Sequence, residues 1–287
     1  MRRAGYLVLI LLALSGSWAV WRVVGGQGEP SGLILPEQSR PETEMAGLET
    51  RGNETVAEMP DICGETVFEG ARAILCVADP ALHSLKLAYR GPDGAVLGSV
   101  EKAVTAIASG GQTPLLAMNA GMYHADMTPV GLYVENGAEI APINPDDGFG
   151  NFFLKPNGVF FVRKDGSAGV METEAYRAAG IAPDFATQSG PMLLIDGAIH
   201  PRFLPDGTSK HIRNGVGVRA DGSIVLAITR DPVSLGSFAR LFRDVARCEN
   251  ALFFDGAVSS LALGTHMEID AGEPAGPVVA VFAKAGD

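Results

Sequence analysis

The sequence predicts an α+β domain: a mixed, mostly antiparallel β-sheet core with a few helices packed on it. Three observations carry this expectation. Short apolar runs alternate with turn signals such as Asn136-Gly137, Asp165-Gly166, Asp196-Gly197 and Asp221-Gly222, the punctuation of hairpins. Thirty-six glycines and 18 prolines among 287 residues supply many turns and short elements. Only two or three stretches carry a helical period, whereas a doubly wound fold would alternate strand and helix regularly.

The elements follow in chain order. Ala73 to Val77 and Ser84 to Tyr89 read as strands, the second with Leu85, Leu87 and Tyr89 in alternation, and Gly91-Pro-Asp-Gly94 turns the chain. Val100 to Ala108 is helix-like, with Val104 and Ile107 on one face. Leu115 to Met118 is a short buried strand ending on Asn119, and Gly131 to Glu135 is another. Gly158 to Arg163 and Ala168 to Glu172 form a hairpin, followed by a short helix from Thr173 to Ala179 closed by Gly180. Pro191 to Ile195 with Ala198 onward, and Val216 to Arg219 with Ile224 to Thr229, repeat the strand–turn–strand pattern. Ser237 is the expected N-cap of a helix that sets Phe238, Leu241, Phe242 and Val245 on one face. Ala251 to Phe254 is a buried strand ending on Asp255, and Val278 to Ala283 is the last strand.

Composition bounds the function. With 47% hydrophobic and 19% charged residues the chain can bury a sizeable core. A net charge of −11 and the lack of a basic patch with aromatic interleaving argue against a nucleic-acid partner. Arg2 and Arg3 precede an apolar stretch, Tyr6 to Leu14, and Ser17-Trp18-Ala19 has a small-x-small form, the pattern of a signal peptide over residues 1–24. The competing reading is a membrane tether through residues 4–24, marginal because Ser15, Gly16, Ser17 and Arg22 interrupt it. Either reading delivers the rest across a membrane, to a periplasmic or secreted location, with or without an inner-membrane anchor. Residues 25–60 are rich in Gly, Pro, Ser and Glu without a hydrophobic period and read as a flexible linker. One domain is expected from 61 to 287.

In an exported protein Cys63 and Cys76 are the natural disulfide pair, leaving Cys248, at the end of a helix, as a buried small residue. No cysteine or histidine pair has metal-ligand spacing, and Asn144-Pro-Asp146-Asp147-Gly148 resembles a calcium loop only loosely, without the distal Glu. The sequence calls for no metal and no cofactor. It has neither a Gly-x-Ser-x-Gly elbow nor a P-loop, so an ordinary serine hydrolase or nucleotide kinase has no support.

Several segments share one form, an apolar run that stops on polar residues and glycine. Asp255-Gly256-Ala-Val-Ser259-Ser260 puts an acid, two hydroxyls and backbone amides at a strand end, a set that suits a sugar or a phosphate, although Asp-Gly and Ser-Ser are also common turn residues. Asn119-Ala-Gly121-Met-Tyr123-His124 offers an amide at a strand end with a glycine for close approach; an Asx cap is the bland alternative. Gln188-Ser189-Gly190 looks like a ligand loop. In His211-Ile-Arg213-Asn214-Gly215, Arg213 is the best phosphate fork in the chain, against a surface or salt-bridge role. Lys155 beside Asn157-Gly158 reads more simply as part of a turn, and His83, His200 and His266 as structural.

In this order the segments resemble the phosphodiester glycosidase family, in a bacterial, exported, largely uncharacterised branch. The resemblance runs from about Cys63 to Phe282 and is carried by Asn119-Ala-Gly121-Met-Tyr123-His124, Asn151-Phe-Phe-Leu-Lys-Pro-Asn157-Gly158, Ala186-Thr-Gln188-Ser189-Gly190-Pro, His200-Pro-Arg-Phe-Leu, Arg213-Asn214-Gly215-Val-Gly217 and Asp255 to Ser260. The glycosidase branch typically has Asn-Gly-Gly-Phe-Phe at Asn119–Tyr123 and Asp-Gly-Gly-Gly-Ser-Ser at Asp255–Ser260, so here bulkier residues flank the polar ones and reshape the pocket. The resemblance implies a hydrolase that cleaves a sugar-1-phosphodiester or related envelope glycan linkage, with a carbohydrate or sugar-phosphate as substrate. In that scheme Asp255 is the reacting carboxylate, Arg213 with amides near Gly256 and Gly121 holds the phosphate, and Asn119, Gln188 and Ser259 orient the sugar. Tyr123, His124, Ser189, His211, Asn214 and Ser260 complete the expected substrate contacts. No second carboxylate is evident for a two-acid scheme. The alternative is a non-catalytic envelope protein that binds polysaccharide through the same pocket.

Overall fold

The computed structural model describes residues 59–284. The expected signal peptide or tether at 1–24 lies outside the described residues, as does the expected linker at 25–60 apart from Met59 and Pro60.

In chain order the domain comprises β1 (Cys63–Phe68), β2 (Ala71–Ala78), β3 (His83–Ala88), α1 (Val100–Ser109), β4 (Leu116–Asn119), β5 (Tyr133–Glu135), β6 (Ala138–Ala141), β7 (Gly158–Val162), β8 (Ala168–Glu172), α2 (Thr173–Ala179), β9 (Phe185–Ser189), β10 (Met192–Ile195), β11 (Ala198–Ile199), β12 (Asn214–Arg219), β13 (Ile224–Thr229), α3 (Leu235–Arg240), β14 (Cys248–Phe253), β15 (Leu261–Leu263), β16 (His266–Ile269) and β17 (Val278–Ala283). They build three sheets, in the orders β1-β2-β13-β12-β14-β10-β11, β16-β15-β4-β17-β3 and β6-β5-β9-β7-β8. All strand pairs within them are antiparallel. The α+β class stands.

Each sheet turns one face to a shared core and the other to its own helix. The shared core draws Ile74, Val216 and Phe254 from the first sheet, Leu85, Leu116 and Val281 from the second, and Tyr133 and Phe160 from the third. Because successive strand residues point to opposite faces, the neighbours of these residues fall in three outer clusters. Phe253 packs with Phe238 and Phe242 near α3, Ala117 and Ala280 with Val100 and Val104 of α1, and Phe161 with Tyr176 of α2. Burial on both faces is why Gly158-Val-Phe-Phe-Val162 and Ala251-Leu-Phe-Phe254 are continuous apolar runs and not alternations.

Local chemistry explains where expectation and structure differ. α3 starts three residues earlier than Ser237: Ser234 is the N-cap and accepts from the Ser237 amide at 3.1 Å, while the Ser237 hydroxyl donates to Glu69. The chain then widens into a π-turn, Leu241–Val245, so Phe238, Leu241 and Phe242 stay buried while Val245 is carried out to 37% exposure. Cys248 is buried as expected but opens β14 instead of ending a helix. The strands β1, β9, β15 and β16 go beyond the sequence expectation: β1 and β16 lie at sheet edges with exposed or half-buried side chains, whereas β9 and β15 are short, buried and internal. Cys63 and Cys76 face each other across the β1–β2 ladder and form the expected disulfide.

Candidate active site

The site forms where strand ends of two sheets meet. β4 ends on Asn119, β12 begins on Asn214, and β14 ends on Phe253, with Phe254 and Asp255 directly after it. The Phe254 amide donates to the Asn214 carbonyl and the Asp255 amide to the Ala120 carbonyl, each at 3.1 Å, so Asp255 is the point at which the first sheet is stitched to the second.

A buried amide network fixes that junction. Asn119 Nδ2 donates to the Asp255 carbonyl at 2.8 Å, and its Oδ1 accepts from the Ser260 amide at 2.9 Å and from Asn214 Nδ2 at 3.0 Å. Asn214 Nδ2 also reaches the Asn119 carbonyl at 2.8 Å. Ser259 Oγ lies 3.2 Å from Asn214 Oδ1 and 3.1 Å from the Gly256 carbonyl, and Ser260 Oγ lies 3.1 Å from the Val258 carbonyl. Asn119, Asn214, Ser259 and Ser260 are all buried. They hold the Asp255–Ser260 turn by its backbone, and this use absorbs the polar groups that the sequence offered for direct contact with a ligand.

Asp255 itself is half-buried, and its carboxylate accepts only a 3.3 Å bond from the Ala257 amide among the described residues. Burial raises its pKa above the ordinary carboxylate range, and the Ala257 amide offsets part of that rise. Residues Gly256–Val258 follow as a single 3-10 turn. Among the described residues the Gly121 and Gly256 amides donate to no other group. Both glycines are sterically required. A Cβ at Gly121 would collide with Thr187 Oγ1 and lie 2.7 Å from the Gln188 carbonyl, and one at Gly256 would collide with the Phe253 ring.

Tyr123 is half-buried beside this turn. Its hydroxyl donates to the Pro274 carbonyl, and its pKa is pushed up to about 12, chiefly by burial and then by the negative charges of Asp255 and Glu273. The sequence reading missed residues 270–277, which bring Pro274 and Glu273 to this place. Their Gly/Pro-rich composition signals only a loop.

Other expected residues sit elsewhere. Arg213 precedes Asn214, and the alternation of β-structure sends its side chain to the opposite face. There it donates to the Val233 carbonyl at 2.8 Å and the Ser209 carbonyl at 3.0 Å and lies over the Phe253 ring. It has no carboxylate partner among the described residues, and burial lowers its pKa to about 10. Arg213 shares no hydrogen bond or ion pair with Asp255 among the described residues. The Gln188 side chain is a brace: Oε1 accepts from the Leu132 and Asn144 amides, and Nε2 donates to the Asn144 carbonyl and to Thr173 Oγ1. Asn144 is thereby fixed to Gln188, and Asp147 pairs with Lys155. No cluster of three or more metal-ligating side chains occurs among the described residues. Ser189 is fully buried with no partner for its hydroxyl among the described residues. His124 and His211 are exposed, the second on an isolated bridge to Val233. His200 is buried and stacks on Phe203.

The three-sheet antiparallel α+β domain sets one withdrawn carboxylate and free backbone amides at a sheet junction, groups that suit a small polar ligand. The phosphodiester glycosidase family model matches residues 112–281. The uncharacterised protein YigE of Escherichia coli K12 is 34% identical over 183 residues, which cover 64% of this chain and 71% of YigE. The chain belongs to the phosphodiester glycosidase family. In fold it is similar to the catalytic domain of zebrafish N-acetylglucosamine-1-phosphodiester alpha-N-acetylglucosaminidase, described as auto-inhibited by its pro-peptide, with a TM-score of 0.56 at 15% identity over 77% of this chain and 82% of that one. A hypothetical protein from Synechocystis shares the fold with a TM-score of 0.50 at 14% identity, over 77% of this chain and 61% of that one.

Proposed function

We propose that this protein is an exported hydrolase that cleaves a sugar-1-phosphodiester or a related envelope glycan linkage, with Asp255 as its reacting carboxylate. The observation that carries the reading is the state of Asp255: a carboxylate drawn out of water at the sheet junction, with no cation beside it among the described residues and free glycine amides nearby. A structural carboxylate would be paired, whereas an unpaired one held in place is suited to act on a substrate. The zebrafish enzyme's name specifies an N-acetylglucosamine-1-phosphodiester, which makes that linkage the first to test here.

In the proposed reaction water adds to the anomeric carbon and the bond from that carbon to the phosphate oxygen breaks. The phosphate monoester leaves with the electron pair. Asp255 accepts the proton of the water or faces the oxocarbenium-like centre. A phosphate leaving group needs no strong acid, so a single carboxylate suffices. The Gly121 and Gly256 amides supply donors for the phosphoryl oxygens. Asn119, Asn214, Ser259 and Ser260 act as positioning residues that fix the turn. The Cys63–Cys76 disulfide and the N-terminal leader pattern support a periplasmic or secreted location.

The test incubates the full chain and its Asp255→Asn variant with the methyl diester of α-N-acetylglucosamine-1-phosphate. Sugar release by the parent alone supports the assignment. Full activity in a folded Asn variant sinks it. Retention of envelope polysaccharide without turnover by either form supports a binding protein instead.

A further inference from the structure

We propose that residues 270–277 form a wall of the Asp255 pocket, that the Tyr123 hydroxyl latches this wall, and that Tyr123 is thereby a positioning residue that limits the size of the group the pocket accepts. Size selection rests on the glycosidase reading; the wall and the latch do not.

The segment Asp270-Ala-Gly-Glu-Pro-Ala-Gly-Pro277 has no regular structure, and Ala271 to Pro274 are exposed. Its position is therefore set by individual ties, of which there are four among the described residues. The Ala271 amide donates to Ser260 Oγ at 3.1 Å, the Ala275 amide to the Gly98 carbonyl at 2.9 Å, and the Pro277 carbonyl accepts from the Ala120 amide at 2.8 Å. The fourth is the hydroxyl of Tyr123 on the Pro274 carbonyl. Three of the four partners belong to the site. Ala120 accepts from the Asp255 amide with its carbonyl and donates to the Pro277 carbonyl with its amide, so one residue links the wall to the Asp255 backbone. Ser260 bonds Asn119 through its backbone and the wall through its hydroxyl.

The fit between wall and ring is close. A Cβ at Gly276 would lie 2.6–2.8 Å from Cβ, Cγ and Cδ1 of Tyr123, so only glycine lets the wall lie flat on the phenol. The wall also borders a cleft of ≈ 280 Å³ lined by Ser99, Glu101, Ser260, Asp270 and Glu273. That volume gives the wall room to move when untied. Tyr123 ties Pro274, the last residue of the exposed stretch, and loss of its hydroxyl leaves Ala271 to Pro274 held by the Ala271 amide at one end and by the Ala275 amide just beyond the other. The burial that raises the Tyr123 pKa, followed by the influence of both Asp255 and Glu273, agrees with a ring closed between the carboxylate and the wall.

The test uses the full chain with Tyr123→Phe, which keeps the ring, and Gly276→Ala, which presses on the contact from the other side. Hydrogen exchange over residues 271–276 reads the latch. Carbodiimide coupling at Asp255, relative to the exposed Asp126, reads the wall. Both rates are expected to rise about 3- to 10-fold in Tyr123→Phe, the range for loss of one neutral hydrogen bond. The ratio of kcat/KM for a benzyl diester over the methyl diester should rise at least about threefold, since a tie of that strength no longer resists the bulkier group. Unchanged exchange overturns the latch, and faster exchange with unchanged Asp255 coupling overturns the wall. Faster exchange and coupling with an unchanged diester ratio overturns size selection. A parent chain that releases sugar from neither diester overturns the glycosidase reading and size selection together, while exchange and coupling still decide the latch and the wall.

Discussion

Replacing Asn119 by Ala separates a framework residue from a ligand contact. Asn119 is 1% exposed, and its side chain makes three hydrogen bonds: to the Asp255 carbonyl, from the Ser260 amide and from Asn214. Alanine leaves the Asp255 carbonyl and the Ser260 amide without a partner, while Asn214 Nδ2 keeps its bond to the Asn119 backbone carbonyl. Each orphaned group costs about 1–3 kcal/mol, partly recovered by water or local shifts, so the total comes to about 3 kcal/mol. That is a large share of the ~5–15 kcal/mol that holds a typical domain. Urea unfolding should show a lower midpoint at unchanged m-value. Asn119→Asp should also destabilise, because it replaces the donor to Asp255 with an oxygen and adds a second carboxylate beside the first. A loss below about 1 kcal/mol in Asn119→Ala, with sugar release abolished, would refute the framework role and return Asn119 to direct substrate contact.

Other outcomes follow from the same geometry. Cys63→Ser with Cys76→Ser should lower stability by about 3 kcal/mol, since the disulfide closes a loop with a sequence separation of 13; denaturant melts of oxidised and doubly substituted protein check this. Cys248 is buried and its pKa is pushed up to about 12, so native protein should resist iodoacetamide at pH 8 and react once unfolded in urea. For Asp255 the folded pKa is raised, so burial favours the neutral form and its stabilising share is lost as pH rises through that value. Asp255→Asn should therefore melt higher than the parent at pH 8, with the gap closing at acid pH. The acid limb of the parent's kcat/KM profile should likewise fall above the ordinary Asp range.

The site was partly legible in the sequence because its chemistry sits on strand ends. Apolar runs that stop on Asn119 and Asp255 marked two strand ends that meet in the fold, and hairpin punctuation marked the α+β class. The roles of those residues were less legible. Asn and Ser at a strand end can meet a ligand or a backbone group, and residue type does not distinguish the two. Arg213 illustrates the gap: its planar guanidinium made it the best phosphate fork by residue type, whereas in the fold it donates to the Val233 and Ser209 carbonyls. The wall at 270–277 shows the same gap from the other side, since nothing in a Gly/Pro-rich loop tells where it will lie.

By itself the sequence determined the local properties: which runs bury, where turns fall, which cysteines pair, and which polar residues close the strands. These depend on side-chain type and near neighbours along the chain. The tertiary structure alone decided which strand ends meet, that Asn119 and Asn214 spend their amides on the Asp255 turn, that Asp255 stands unpaired, and that Tyr123 reaches Pro274 across 151 residues of chain. Hydrogen-bond partners and burial are set by contacts between residues distant in sequence, and these exist only once the three sheets have closed on their common core.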